Sequence, residues 1–129
     1  MDLNLPSTNL DQATEGRWCQ FNDDIKFKVA MSNNPKHKRA IQSRLKTIEK
    51  MRDKGDYNRV EIINNEITAQ HILKDWSGLK DNGKELPFST DSALAILSDA
   101  RYAPIKEFIV GESMENSEYE DEAKDIVKK

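Results

Sequence analysis

Ile25, Phe27, Val29 and Met31 alternate with Lys26, Lys28 and Ala30. A period of two predicts a half-buried strand. Just before it, Arg17-Trp18-Cys19-Gln20-Phe21 reads as a shorter strand, and Asn22-Asp23-Asp24 between the two has turn chemistry. Residues 17–31 are therefore predicted to form a β-hairpin. A lone hairpin is marginal in water, so helices must cover its apolar face. The pattern then changes. Asn34-Pro35 sets a capping Asn before Pro at a first helical position. Ile41, Leu45, Ile48 and Met51 follow at spacings of four, three and three, one apolar stripe. Lys54-Gly55 supplies a cation and a left-handed glycine to end that helix. Asp56 caps the next, whose stripe is Val60, Ile63, Ile67 and His71, flanked by Ile62, Ala69, Ile72 and Leu73 and ending at Trp76. The two helices form an αα-hairpin.

After them comes a compact polar insert, Asp75-Trp76-Ser77-Gly78-Leu79-Lys80-Asp81-Asn82-Gly83-Lys84-Glu85-Leu86-Pro87-Phe88-Ser89. Asn82-Gly83 provides the positive φ values of a type I′ hairpin turn. Leu79, Leu86 and Phe88 can fold back on the helices, with Trp76 as their anchor. Ser89 caps a third helix with Ala93, Leu94, Ile96 and Leu97 on its apolar side. Pro104 opens a fourth, carrying Ile105, Phe108 and Ile109. The expected fold is mainly α with a small N-terminal β-hairpin (α+β), about four helices, and a second short hairpin between helices 2 and 3. Residues 1–15 read as a flexible N-terminal arm, residues 16–111 as a single globular domain, and residues 112–129 as a disordered acidic tail. That tail holds seven acids against three lysines, a net of −4.

Composition narrows the function classes. The apolar fraction of 36% is below the typical ~45–50%, and the charged fraction of 33% is above the typical ~25%. A modest core under a highly charged surface is expected. The net charge of −3 gives no global attraction to nucleic acid or anionic membrane. The single Cys19 excludes an internal disulfide and fits a reducing compartment. No run reaches the ~18 apolar residues of a membrane span, and the first residues have no charged-then-apolar signal pattern. A soluble intracellular protein is expected.

Site chemistry is sparse. His37 and His71 lie far apart with no clustered Cys, and neither HExxH nor CxxC occurs. His71 reads as a hydrogen-bonded, semi-buried residue, Cys19 as a small packing residue, and Asp23-Asp24 as solvated turn residues. Gly78 and Gly83 belong to a turn and not to a phosphate-binding loop. No catalytic, metal or cofactor residue is assigned. Residues 36–54 stand out differently, with eight cations (Lys36, Lys38, Arg39, Arg44, Lys46, Lys50, Arg52, Lys54) against Glu49 and Asp53, a net of +6. A solvated face, a dock for an acidic protein and a nucleic-acid patch are all open readings. No aromatic residues interleave with the cations for base stacking.

The insert resembles a turn found in one branch of the tail assembly chaperones of long-tailed bacteriophages, Trp-x-Gly-Leu/Val … Asp-Gly-x-x-Leu/Pro-Phe/Tyr-Ser, which follows a helix and precedes a Leu-rich one. The residues that match are Trp76, Gly78, Leu79, Asn82, Gly83, Leu86, Pro87, Phe88 and Ser89, followed by Ala93-Leu94-Ala95-Ile96-Leu97. Upstream, Gly16-Arg17-Trp18, then Phe27-Lys28-Val29-Ala30-Met31, then Asn34-Pro35 is similar to that family's opening. The resemblance covers about residues 16–110 in order. Met31 stands where the family often has Arg, and His37 where it often has an aromatic.

The resemblance implies a protein that is not an enzyme and needs no cofactor. It would bind the tape measure protein in the host cytoplasm, keep it soluble while the tail tube assembles, and be absent from the mature virion. Tail tube protein, a frameshifted longer form of the chain and further copies of itself are implied as additional partners. Membrane and nucleic acid are not expected ones. Candidate contacts are Leu3, Leu5, Trp18, Arg39, Arg44, Lys46, Trp76, Leu79 and Phe88. Two alternatives accompany this reading. One is a small nucleic-acid-binding regulator using residues 36–54. The other is a head–tail or tail accessory structural protein.

Overall fold

The computed structural model describes residues 3–121. Short elements already lie in the stretch read as an arm. β1 (Ser7–Thr8) precedes α1 (Leu10–Glu15), whose first turn is capped by Asn9, its side-chain oxygen accepting from the Gln12 N–H at 3.1 Å. β2 (Arg17–Gln20) and β3 (Lys26–Val29) then form the hairpin that the alternation predicts, with Cys19 opposite Phe27. Its turn is closed by Asn22, whose Oδ1 accepts from the N–H groups of both Asp24 and Ile25.

α2 (Pro35–Asp53) starts at the Asn-Pro cap, where Asn34 Oδ1 accepts from the Lys36 and His37 N–H groups. Asn34 is itself buried, and its Nδ2 reaches the carbonyls of Met31 and His71, so the cap also ties two elements together. α3 (Tyr57–His71) is capped by Asp56 and packs on α2 through Ile48, Val60, Ile63 and Ile67.

α3 stops at His71, short of Trp76, where the stripe had predicted its end. The next residues form a strand, β4 (Leu73–Ser77), paired antiparallel with β3. The hairpin is thus two strands of a three-stranded sheet in the order β2-β3-β4. Val29 pairs with Leu73 and Lys28 with Asp75, which leaves Lys74 as the extra residue of a bulge. A bulge re-aims the chain, so Leu73 and Trp76 both face inward although they are three residues apart.

β5 (Lys80–Asp81) and β6 (Lys84–Glu85) form the second hairpin, with Asn82 at φ 52 and Gly83 at φ 79 in its two-residue turn. Gly78, at φ 87, lets the chain leave β4 pressed against the Asp24 carbonyl, where a Cβ would have no room. α4 (Thr90–Ser98) begins at the Ser89 cap, and α5 (Ala103–Ser113) carries Pro104 in its first turn. These two helices cover the sheet. Phe27, Val29, Leu73, Trp76, Ala93, Leu97 and Ile109 form the larger core, and Ala69 and Ile72 join α3 to it. The architecture is α+β and mainly helical.

The segment read as an acidic tail is seated on the fold as far as it is described. Asn116–Tyr119 form a 3-10 turn, and β7 (Glu120–Asp121) pairs with β1. Tyr119 is fully buried, donates its hydroxyl to the Val29 carbonyl at 2.7 Å and lies under the Arg17 guanidinium. Arg17 in turn pairs with Glu112 at 2.7 Å. Buried Ala13 accepts a backbone bond from Met31, and the Asn9 N–H reaches the Tyr119 carbonyl. Domain limits at 16 and 111 therefore exclude residues that the core uses. The remainder of the predicted arm and tail, residues 1–2 and 122–129, lies outside the described residues.

Candidate functional groove

α3 carries two apolar faces, one toward α2 and one toward the sheet and α4. Between them runs a third stripe, Tyr57, Glu61, Asn64 and Thr68, at spacings of four, three and four. That stripe is the floor of a groove of about 460 Å³. His37 and Ile41 of α2 form one wall, and Lys106, Val110, Ser113 and Met114 at α5 form the other. From Tyr57 to Thr68 the floor runs about 16 Å, at ~1.5 Å per residue. Two large apolar side chains on its rim are exposed: Tyr57 at the start of α3, 68%, and Met114 just past the end of α5, 61%. Lys106 bridges to Glu61 at 3.5 Å, linking α5 to α3.

His37 marks the other end. It is buried, and its Nδ1 accepts the Asn33 N–H at 2.9 Å, so the neutral ring is the one that fits. Burial chiefly, and the neighbouring His71, hold its pKa below the ordinary value. Burial also lowers that of His71, helped by Lys74 and Lys36. In the unfolded chain both rings titrate near ~6.5. As pH falls through that value, the unfolded chain takes up protons that the folded chain resists, so their contribution is whole above it and is lost below it. Urea midpoints should therefore drop between pH 7.5 and pH 5.5. His37→Gln should flatten that slope, and an unchanged slope would contradict the burial of a neutral ring.

The sequence-derived candidates scatter. Leu3 and Leu5 are exposed, as is Leu10, which lines a separate hollow with Thr8, Met31, Pro35 and Arg39. Trp18 is 44% exposed on β2, with Lys26 Nζ 4.9 Å from its ring. Arg39 and Lys46 point outward from α2, while Arg44 turns toward α3 and meets Glu66 at 3.4 Å. The other seven cations of residues 36–54 make no ion pair among the described residues, and the only large apolar side chain exposed on α2 is Leu45.

Trp76, Leu79 and Phe88 do come together, but inside. Trp76 is 5% exposed, its ring meets Phe88 edge-on at 4.9 Å, and Leu79 and Phe88 pack on the core. Trp76 is thus removed from the surface contacts, because its indole closes the insert onto the sheet. Cys19 is buried, and burial pushes its thiol up to about 11, the behaviour of a packing residue. Among the described residues no group of three or more His, Cys, Asp or Glu is placed to hold a metal, and no helix is long and apolar enough to cross a membrane.

The groove residues Tyr57, Glu61, Asn64, Asn65, Lys106 and Met114 escaped the sequence reading. One signal was present: Asn64-Asn65 interrupts α3 between Ile63 and Ile67, where an amphipathic pattern would seat an apolar residue. Among known proteins, a family model described as YdaY prophage protein matches residues 22–129. No curated protein and no solved structure matches the chain.

Proposed function

Because the chain belongs to the YdaY prophage protein family, we propose that it is a non-enzymatic assembly factor of a prophage, a tail assembly chaperone that holds the tape measure protein. The observation that carries this reading is the groove between α2 and α5. It has about 460 Å³ of space, is walled in part by Ile41, Val110 and Met114, and keeps Tyr57 and Met114 exposed on its rim. An amphipathic helix lays its apolar face into such a groove. The tape measure protein implied by the tail-chaperone resemblance is long and largely helical, and needs its apolar surface covered until the tube encloses it. The cations of α2 that make no ion pair among the described residues keep the loaded complex solvated. On this reading the protein acts in the host cytoplasm, leaves before the virion matures, and meets tail tube subunits only through its cargo.

Co-expression with the central region of the tape measure protein from the same prophage tests the proposal. The expected result is more soluble tape measure protein, co-purifying with the chain. Ile41→Asp, which charges the groove wall, should abolish both. Insolubility of the tape measure segment with the chain present, and no co-purification, would overturn the chaperone reading. Finding the chain in purified virions would favour a structural accessory part instead.

A further inference from the structure

Asn65 sits where the groove is divided. It is 3% exposed, and its Oδ1 is buried without a hydrogen-bond partner among the described residues. It lines the main groove and also a second cleft of about 360 Å³, bounded by Ile62, Leu97 and Ala103. Only Glu61, Asn65 and Lys106 border both spaces, so these three form the wall between them. Glu61 and Lys106 answer each other across that wall. Asn65, one turn further along α3, has no partner for its Oδ1 among the described residues. A leucine would occupy similar space without burying an unpaired amide, and it favours a helix more. Asn65 therefore does not serve the stability of the free chain.

We propose that Asn65 is the specificity-determining residue of the groove, hydrogen-bonding a neutral amide or hydroxyl side chain set within the apolar face of the bound helix. The inference rests on the proposed function, and it narrows the partner segment. The floor length corresponds to about three helical turns, with Asn65 about one turn from its Thr68 end. An Asn side chain offers both a donor and an acceptor, and Asn, Gln, Ser or Thr on the partner can meet both. A charged side chain would be stranded there, since Glu61 and Lys106 already neutralise each other. An all-apolar helix would leave the amide unpaired in a sealed interface. The groove thus rejects purely apolar helices and selects those with one neutral polar residue in register.

The test is Asn65→Leu in the full chain, with thermal melting of the free protein and titration against the purified tape measure segment. The variant is expected to melt higher than the parent and to bind the segment at least tenfold more weakly. A lower melting temperature would mean that the amide is satisfied in the free chain, and would overturn the inference. Equal binding by parent and variant would overturn the role of Asn65 while leaving the chaperone reading intact. A parent that binds no tape measure segment would overturn that reading, and this inference with it.

Discussion

Trp76→Ala is expected to lower the stability of the folded chain by about 3–5 kcal/mol, the usual range for truncating a buried aromatic. Three losses add at this position. The ring fills the core beside Phe27, its cross-strand partner on the sheet. It packs edge-on against Phe88 at 4.9 Å, a geometry worth about 0.5–1.5 kcal/mol beyond the buried area. Its Nε1–H donates to the Leu86 carbonyl at 2.8 Å, which pins the second hairpin to the sheet. A domain of this size has a total stability of about 5–15 kcal/mol, so the variant should be partly unfolded at 37 °C. Trp76→Phe separates the terms. It keeps most of the packing and loses the bond to Leu86, at a cost of about 1–2 kcal/mol. Urea unfolding of both variants in a Trp18→Phe background provides the measurement. Equal, small losses for Phe and Ala would mean that the indole is peripheral.

The same tryptophan shows why part of the fold was legible and part was not. The hairpin of β2 and β3, the Asn34, Asp56 and Ser89 caps, Pro104 and the Asn82-Gly83 turn are local. Each is specified by residues within a few positions of one another, and each stands where its chemistry predicts. The end of α3 was different. Leu73 and Trp76 are spaced like two residues on one helix face, yet the bulge at Lys74 produces that spacing within a strand. The choice was made by β3, which offered an edge to pair with. The groove was hidden for a related reason. Its walls come from α2 and α5, and its polar floor looks in sequence like an ordinary solvated face of α3. Only the buried Asn65 departs from that picture.

Tyr119→Ala should be as damaging as the loss of Trp76, although it lies in a stretch whose composition suggests a solvated tail. Removal of a fully buried aromatic costs about 3–5 kcal/mol, and this one also anchors both ends of the described chain. Its backbone carbonyl holds Asn9, its hydroxyl holds Val29, and its ring lies under Arg17, which Glu112 fixes from the other side. Burial pushes the phenol up to about 12, so the hydroxyl remains a donor throughout the neutral range. Tyr119→Phe keeps the ring and leaves the Val29 carbonyl without this bond, a loss of about 1–3 kcal/mol. Amide exchange gives the sharper readout. The alanine variant should release the N–H groups of Asn9 and Met31, which close β1 and α1 onto the fold, before those of β3 and β4. Unchanged protection at Asn9 and Met31 would mean that the acidic segment only rests on the surface. Selective release would make it a clasp, with seven acids in residues 112–129 misleading because one tyrosine among them outweighs their preference for water.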